Sequence, residues 1–347
     1  MSIDHHADQI RRRLEEEKAR TVSVALFGQP GAGKSSLINK MVGRKVAEVG
    51  VETDKTVELA RYEVNGLQFV DLPGYGTQRF PKQGYAERFG IRQMDLFLCV
   101  TSGKLHQADT ELFRELDAMG KVCLYVVNRH DELWEDGVEV AELERRKRED
   151  ISRHVGRCVP VLFTSCRTGT GLDALQQLIA ENLEGAKRER WLRNAKAYSG
   201  AFLDAKRAAC EKYVTTAALA CAANGLNPIP GADVAVDLSI LLKLFAEIRE
   251  CYGLDDRRLD LLARSGIPLV AQLANNVVKY AAREGAVLLL KRYVGRQTAK
   301  SLLRYVPGFG QAVAAGLGYA ITSNAGTAFL DDCHALAGQA LQHHLGV

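Results

Sequence analysis

Gly28-Gln29-Pro30-Gly31-Ala32-Gly33-Lys34-Ser35 satisfies G-x-x-x-x-G-K-[ST] at every specified position. An apolar run, Val22 to Phe27, leads into it, and a helical pattern, Ser36 to Val42, leads out. Strand, glycine-rich loop and helix in that order form a phosphate cradle. Glycines let successive backbone N–H groups turn inward, and the helix N-terminus adds positive potential. The expected nucleotide contacts are Gly28, Pro30, Gly31, Ala32, Gly33, Lys34, Ser35 and Ser36. Lys34 is expected to bridge the β- and γ-phosphates and so to act in catalysis, and Ser35 to ligate Mg²⁺.

The pattern that follows decides the architecture. Val57 to Val64, Asn65-Gly66 and Leu67 to Asp71 read as a hairpin, because Asn-Gly suits a turn whose two central residues both need φ > 0. Met94 to Thr101, Val122 to Asn128 and Val159 to Thr164 read as buried strands. Asp109 to Met119, the polar stretch Val138 to Val155, and Gly171 to Asn182 read as helices. A phosphate loop, one hairpin and then strand–helix repeats is the order of a Ras-like, doubly wound α/β domain with a mixed sheet.

Beyond the charged segment Glu184 to Arg193, which reads as a boundary, strand patterns disappear. Ala201 to Ala223 is helical and alanine-rich, and Val234, Leu238, Leu241, Phe245 and Ile248 make one apolar stripe. Leu259 to Leu262, Leu269 to Ala282 and Ala286 to Tyr293 are also helical in pattern. Ile229-Pro230-Gly231 and Val306-Pro307-Gly308 each mark a break before an apolar helix. The expected organisation is an N-terminal helix in 1–20, a nucleotide-binding domain over 21–185 and an all-α domain over 186–347. Asp4 to Ala19 carries only a narrow apolar stripe, Ile10 and Leu14, so it must pack edge-on against something else. Tyr305 to Leu330 has no charged residue, yet its interior is alanine and glycine rather than leucine. It suits close-packed buried helices, with peripheral membrane contact as the alternative.

The eight cysteines include no C-x-x-C pair and mostly sit in apolar runs, as buried thiols of a reducing cytoplasm do. A net charge of +4 over 347 residues is too small to point to nucleic acid as a partner, local basic patches aside. Residues 1–20 lack an apolar signal core, and Ser2 stands where N-myristoylation needs glycine.

The base is read from Asn128-Arg129-His130-Asp131, which follows a buried strand where a guanine-selecting N-K-x-D motif belongs. Asp131 can accept from guanine N1–H and N2–H₂, an arrangement adenine does not offer. Asn128 is expected to bond the base edge or to tie the motif back to the phosphate loop, and Arg129 to lay its planar head on the base. Ser165 and Cys166 end the last strand, where a backbone N–H can reach guanine O6. Asp71-Leu72-Pro73-Gly74 ends the hairpin. Asp71 is expected to hold Mg²⁺ through water, and the Gly74 N–H to meet the γ-phosphate. Thr56 is the expected catalytic Mg²⁺ ligand between these elements, with Thr53 as the alternative and an ordinary loop hydroxyl as the plain reading of either. Tyr75 occupies the position where Ras-like enzymes place a water-orienting glutamine, so intrinsic hydrolysis should be slow or completed from elsewhere.

On these residues the chain resembles the immunity-related, interferon-inducible GTPases of the dynamin superfamily, as a bacterial-type relative. The resemblance lies in Asp71-Leu72-Pro73-Gly74-Tyr75-Gly76-Thr77 with Phe80-Pro81, Tyr85 and Met94-Asp95-Leu96-Phe97, in Pro230-Gly231 through Leu254-Asp255, and in Val306-Pro307-Gly308 to Leu330-Asp331-Asp332. The chain departs from that family at Asn128-Arg129, where Thr-Lys is usual, and Ser165 to Leu175 is similar to Era-type bacterial GTPases. The resemblance implies hydrolysis of GTP to GDP with Mg²⁺ as cofactor, and a helical domain built from both chain ends. It further implies a GTP-dependent homodimer through the nucleotide face, and a cytoplasmic location with peripheral membrane contact. The alternative is an Era-like switch in which the GTP form docks a protein or RNA with little turnover.

Overall fold

Val22–Phe27 (β1) is buried at all six positions, and strands pair with it in parallel on both sides. In a computed structural model, described over residues 21–47, 60–224, 232–294 and 309–345, the chain forms two compact units. One covers Arg20–Tyr198 and the other includes Ser199–Val347.

The first unit is built on a six-stranded sheet of order β2-β3-β1-β4-β5-β6. Its strands are β1, β2 (Ala60–Val64), β3 (Leu67–Asp71), β4 (Leu96–Thr101), β5 (Val122–Val127) and β6 (Val161–Phe163). Only the β2–β3 pair is antiparallel. Asn65 and Gly66 join that pair with φ of 53° and 73°, the conformation the dipeptide predicts. β4 is also buried at every position, as a parallel strand covered on both faces must be, whereas edge strand β2 alternates. The strand order reverses at β1, so the loop leaving its C-terminal end lies in the crevice where α/β sheets bind ligands. The helices are α1 (Lys34–Val42), α2 (Tyr85–Phe89), α3 (Gln107–Ala118), α4 (Val140–Val155), α5 (Leu172–Glu181) and α6 (Gly185–Asn194).

Helix α6 departs from the sequence reading. The charged run 184–193 reads as a boundary, but Trp191 within it is fully buried. Its indole N–H donates to the Gln176 carbonyl at 3.1 Å, and its ring tilts against Phe69 of β3 with centroids 6.0 Å apart. Lys187 pairs with Asp95, and Arg190 and Arg193 are themselves buried, so much of the charge of this helix belongs to a packed face. The first unit therefore runs past residue 185 to Tyr198, whose hydroxyl donates to the Lys40 carbonyl at 2.6 Å.

The second unit is all helical: α7 (Gly200–Asn224), α8 (Ala232–Cys251), α9 (Asp256–Ala263), α10 (Pro268–Ala281), α11 (Arg283–Val294) and α12 (Phe309–Gln342). The stripe on α8 is buried at Leu238, Leu241, Phe245 and Ile248, and Phe245 stacks on Phe329 of α12 at 4.1 Å. Gly326 explains the small residues of α12. A Cβ there would come within 2.7 Å of Val214 and 3.0 Å of Leu244, so glycine lets three helices meet. Among the described residues no helix is long and apolar enough to cross a membrane. The expected Asp4–Ala19 helix, the two Pro-Gly breaks, and Thr53 and Thr56 lie outside the described residues.

Replacing Trp191 with Ala should destabilise the first unit by about 3–5 kcal/mol, the usual range for a fully buried aromatic. Urea unfolding followed by circular dichroism measures this. A loss well under about 1 kcal/mol would show that α6 is not part of that core.

Candidate nucleotide-binding site

Residues 28–35 connect β1 to α1, and Gly33 caps the helix in the left-handed region at φ 89°. A Cβ at Gly33 would meet the Asn128 amide nitrogen at 2.3 Å, so glycine is required for the loop to pack on β5. Lys34 is 8% exposed, and its ammonium donates to the Gly28 and Gln29 carbonyls at 2.8 and 3.3 Å. The β1–β3 register sets Leu26 opposite Asp71 and brings that carboxylate to 3.8 Å from the Lys34 ammonium. Asp71 Oδ1 is buried and has no hydrogen-bond partner. Burial outweighs the pull of Lys34 and pushes the carboxyl up to about 6.

On the other side of the loop, Asn128 leaves the end of β5 and is 3% exposed. Its amide nitrogen donates to the Ala32 carbonyl at 2.9 Å, and its oxygen accepts from the Thr164 hydroxyl at 3.2 Å. Of the two expected roles, it takes the tie to the phosphate loop. Arg129 is held at φ 59°, and its guanidinium donates to the Gly31 carbonyl at 2.7 Å rather than lying free for a base. Asp131 sits in the short turn His130–Glu132, with Oδ2 2.7 Å from the Arg167 guanidinium. A hydrogen bond from Ser165, together with Arg167, holds its carboxyl below the usual range. Ser165 also accepts from the Arg167 and Thr168 amides at 3.2 and 3.1 Å, which fixes the turn after β6. Cys166 is half-buried with its thiol pushed up by burial, so it is a passive neighbour of Asn128 rather than a thiolate. A cavity of about 490 Å³ opens here between Ser36, Lys40, Arg44, Lys45, Cys166 and Arg167, with a strongly cationic lining.

The loop, Asp71, Asn128, Arg129, Asp131, Ser165 and Cys166 thus meet at one edge of the sheet. Two contributors escape the sequence reading. Arg167 lies one residue beyond the motif as read. Gln29 is anchored by the buried Asp109 of α3 at 3.2 Å, a partner 80 residues away that no local pattern reveals. Tyr75 is only 3% exposed and donates its hydroxyl to Glu115 of α3. That side chain, singled out in the sequence, is engaged by α3.

The Asp71 environment sets a pH test on nucleotide-free protein in EDTA. The native carboxyl keeps its proton up to about pH 6, whereas the unfolded chain releases it near 3.8. Between those values the native state binds more protons, so this group's contribution to stability falls as pH rises. Asp71→Asn should remove that fall, on the order of 2 kcal/mol between about pH 4 and about pH 6.5 by urea unfolding. Identical pH slopes for parent and variant would contradict a buried, poorly partnered carboxyl.

A profile of the interferon-inducible GTPase (IIGP) family matches residues 2–282. Interferon-gamma-inducible GTPase 10 of Mus musculus is 24% identical over 290 residues, covering 77% of this chain and 69% of its own length. Interferon-inducible GTPase 5 of Rattus norvegicus is 23% identical over 343 residues, covering 91% and 74%. The probable GTP-binding protein EngB of Bradyrhizobium diazoefficiens is 30% identical over 181 residues, 47% of this chain and 81% of its own. With a profile match that runs from the sheet unit through α10, and a phosphate loop and base-reading motif meeting at one edge of the sheet, the chain belongs to the interferon-inducible GTPase family.

Proposed function

We propose that the chain hydrolyses GTP to GDP and phosphate, and that the GTP form assembles into a dimer through the nucleotide face. The observation that carries this reading is the meeting of Lys34 and Asp131 across the Asn128–Ala32 hydrogen bond. One end of that edge suits a triphosphate and the other a guanine. In this reading Lys34 leaves the loop carbonyls for the β- and γ-phosphates, and the Gly74 N–H meets the γ-phosphate. Asp131 receives the guanine N1–H and N2–H₂, and Arg167, already beside it, covers the base. The unpartnered Oδ1 of Asp71, next to Lys34, fits a hydrated divalent cation. Magnesium, when bound, would neutralise charge on the β- and γ-phosphates. Ser35, Thr56 or Thr53, and Asp71 through water are the residues that would hold it.

With Tyr75 packed against α3, the position after Gly74 offers no side chain to orient a water. A group supplied in trans is the natural completion, and such groups raise turnover by about 10³–10⁵. Trp134, 78% exposed and three residues beyond Asp131, gives this side an apolar surface for a second copy. The proposal includes peripheral membrane contact from the cytoplasm, for which Leu261, Leu269 and Leu288 are among the exposed apolar side chains of the helical unit.

GTP turnover per molecule should rise with protein concentration, and Lys34→Ala should lose at least about 100-fold of it, as befits a charge clamp on the transferred phosphate. A specific rate flat over a wide concentration range removes the dimer part, and undiminished turnover in Lys34→Ala removes the site. Asp131→Asn should lower the preference for GTP over ATP by about tenfold or more, the worth of a charge-assisted hydrogen-bond pair. Competition binding measures it, and unchanged selectivity would contradict the base assignment.

A further inference from the structure

Tyr85 opens α2, eleven residues beyond Gly74 in sequence, and is 2% exposed. Its hydroxyl donates to the Pro73 carbonyl at 2.6 Å in a buried hydrogen bond. Pro73 C=O and Gly74 N–H belong to one peptide unit, and the described residues contain no cis peptide bond. In a trans unit the carbonyl and the N–H point to opposite sides of a rigid plane. Whatever fixes the carbonyl therefore also aims the N–H. The next carbonyl is held as well, since the Thr77 hydroxyl donates to Gly74 O at 3.1 Å.

We propose that Tyr85 is a positioning residue for γ-phosphate recognition: its hydroxyl, held in an aromatic cluster, orients the Pro73–Gly74 peptide so that the Gly74 N–H faces the terminal phosphate of GTP. This rests on the reading above that Gly74 meets the γ-phosphate. The ring itself cannot drift. Tyr75 meets it edge-on at 5.1 Å, and Phe89 packs against it at 4.6 Å. Tyr75 in turn is tied to Glu115 of α3, so the orientation of Tyr85 is inherited from the sheet-packed core. Burial raises the Tyr85 phenol far above its ordinary range, which keeps the hydroxyl a donor at any physiological pH. A peptide aimed in advance spends no conformational entropy when GTP arrives. GDP, lacking the γ-phosphate, makes no use of that aim.

A purely structural hydroxyl and a positioning hydroxyl differ in one measurable ratio. Tyr85→Phe in the full chain keeps the ring and removes only the donor. Equilibrium binding is measured for GDP and for a non-hydrolysable GTP analogue with Mg²⁺. Affinity for the analogue should fall roughly tenfold, the worth of one hydrogen bond to a charged acceptor, while affinity for GDP stays within about twofold. Retained GDP affinity shows in the same experiment that the site has folded. Thr77→Val, at an exposed position, removes the second tether and should lower the same ratio by a smaller factor, which keeps the test available if Tyr85→Phe does not fold. An unchanged analogue-to-GDP ratio in a folded Tyr85→Phe, or a parallel loss for both nucleotides, overturns the positioning role. A parent protein that binds GDP and the analogue equally overturns the reading of Gly74 beneath it, and one that prefers adenine nucleotides overturns the proposed function itself.

Discussion

Parallel pairing on both edges of β1 is the constraint on which the site depends. It places Leu26 opposite Asp71 on one side and Phe27 opposite Cys99 on the other. The phosphate loop leaves between two strand ends, so its flanks are set by backbone register and not by side-chain choice. From β3 comes the carboxylate, and from β5, one strand beyond β4, comes the Asn128 amide that reaches the Ala32 carbonyl. A slip of one residue in β3 would turn Asp71 to the opposite face, since side chains alternate across a strand. The burial of Val24 through Phe27, none more than 1% exposed, makes such a slip expensive.

Much of this is legible in the sequence because the informative features are local. A glycine-rich loop, an Asn-Gly turn and unbroken apolar strands each carry their geometry within a few residues. What escapes is nonlocal. Helix α6 reads as solvated charge because five of its ten residues are Lys, Arg or Glu, and in the sequence only Trp191 points to a buried side. Asp109 is an ordinary first-turn carboxylate until Gln29 is seen beside it. Helix α12 shows little amphipathic pattern, because small residues such as Gly326 that admit neighbours alternate with buried Phe329 and Leu330 in a long stretch without charge.

The stretch from Asp71 to Phe89 shows how a motif can be intact while one side chain serves another purpose. Tyr75, Tyr85, Phe80 and Phe89 form a continuous aromatic wall continuous with the core under the sheet. Arg88 lies over the Phe80 ring at 5.0 Å, and Lys82 pairs with Glu111 of α3. Such a wall stiffens the backbone that follows the hairpin, at the expense of any side chain reaching into the site from position 75.

The ions of the site are for the most part already partnered within the chain. Lys34 holds loop carbonyls, Asp131 holds Arg167, and Arg129 holds the Gly31 carbonyl. A ligand arriving there exchanges one set of charge-assisted bonds for another, and the measured affinity reports only the difference. Asp71 Oδ1 differs, because its neighbour is the Lys34 ammonium at 3.8 Å and it accepts no hydrogen bond. If a divalent cation is held there as proposed, its gain would be offset by fewer broken hydrogen bonds than at the neighbouring ions, and it would weigh on the binding equilibrium beyond its small share of the contact surface.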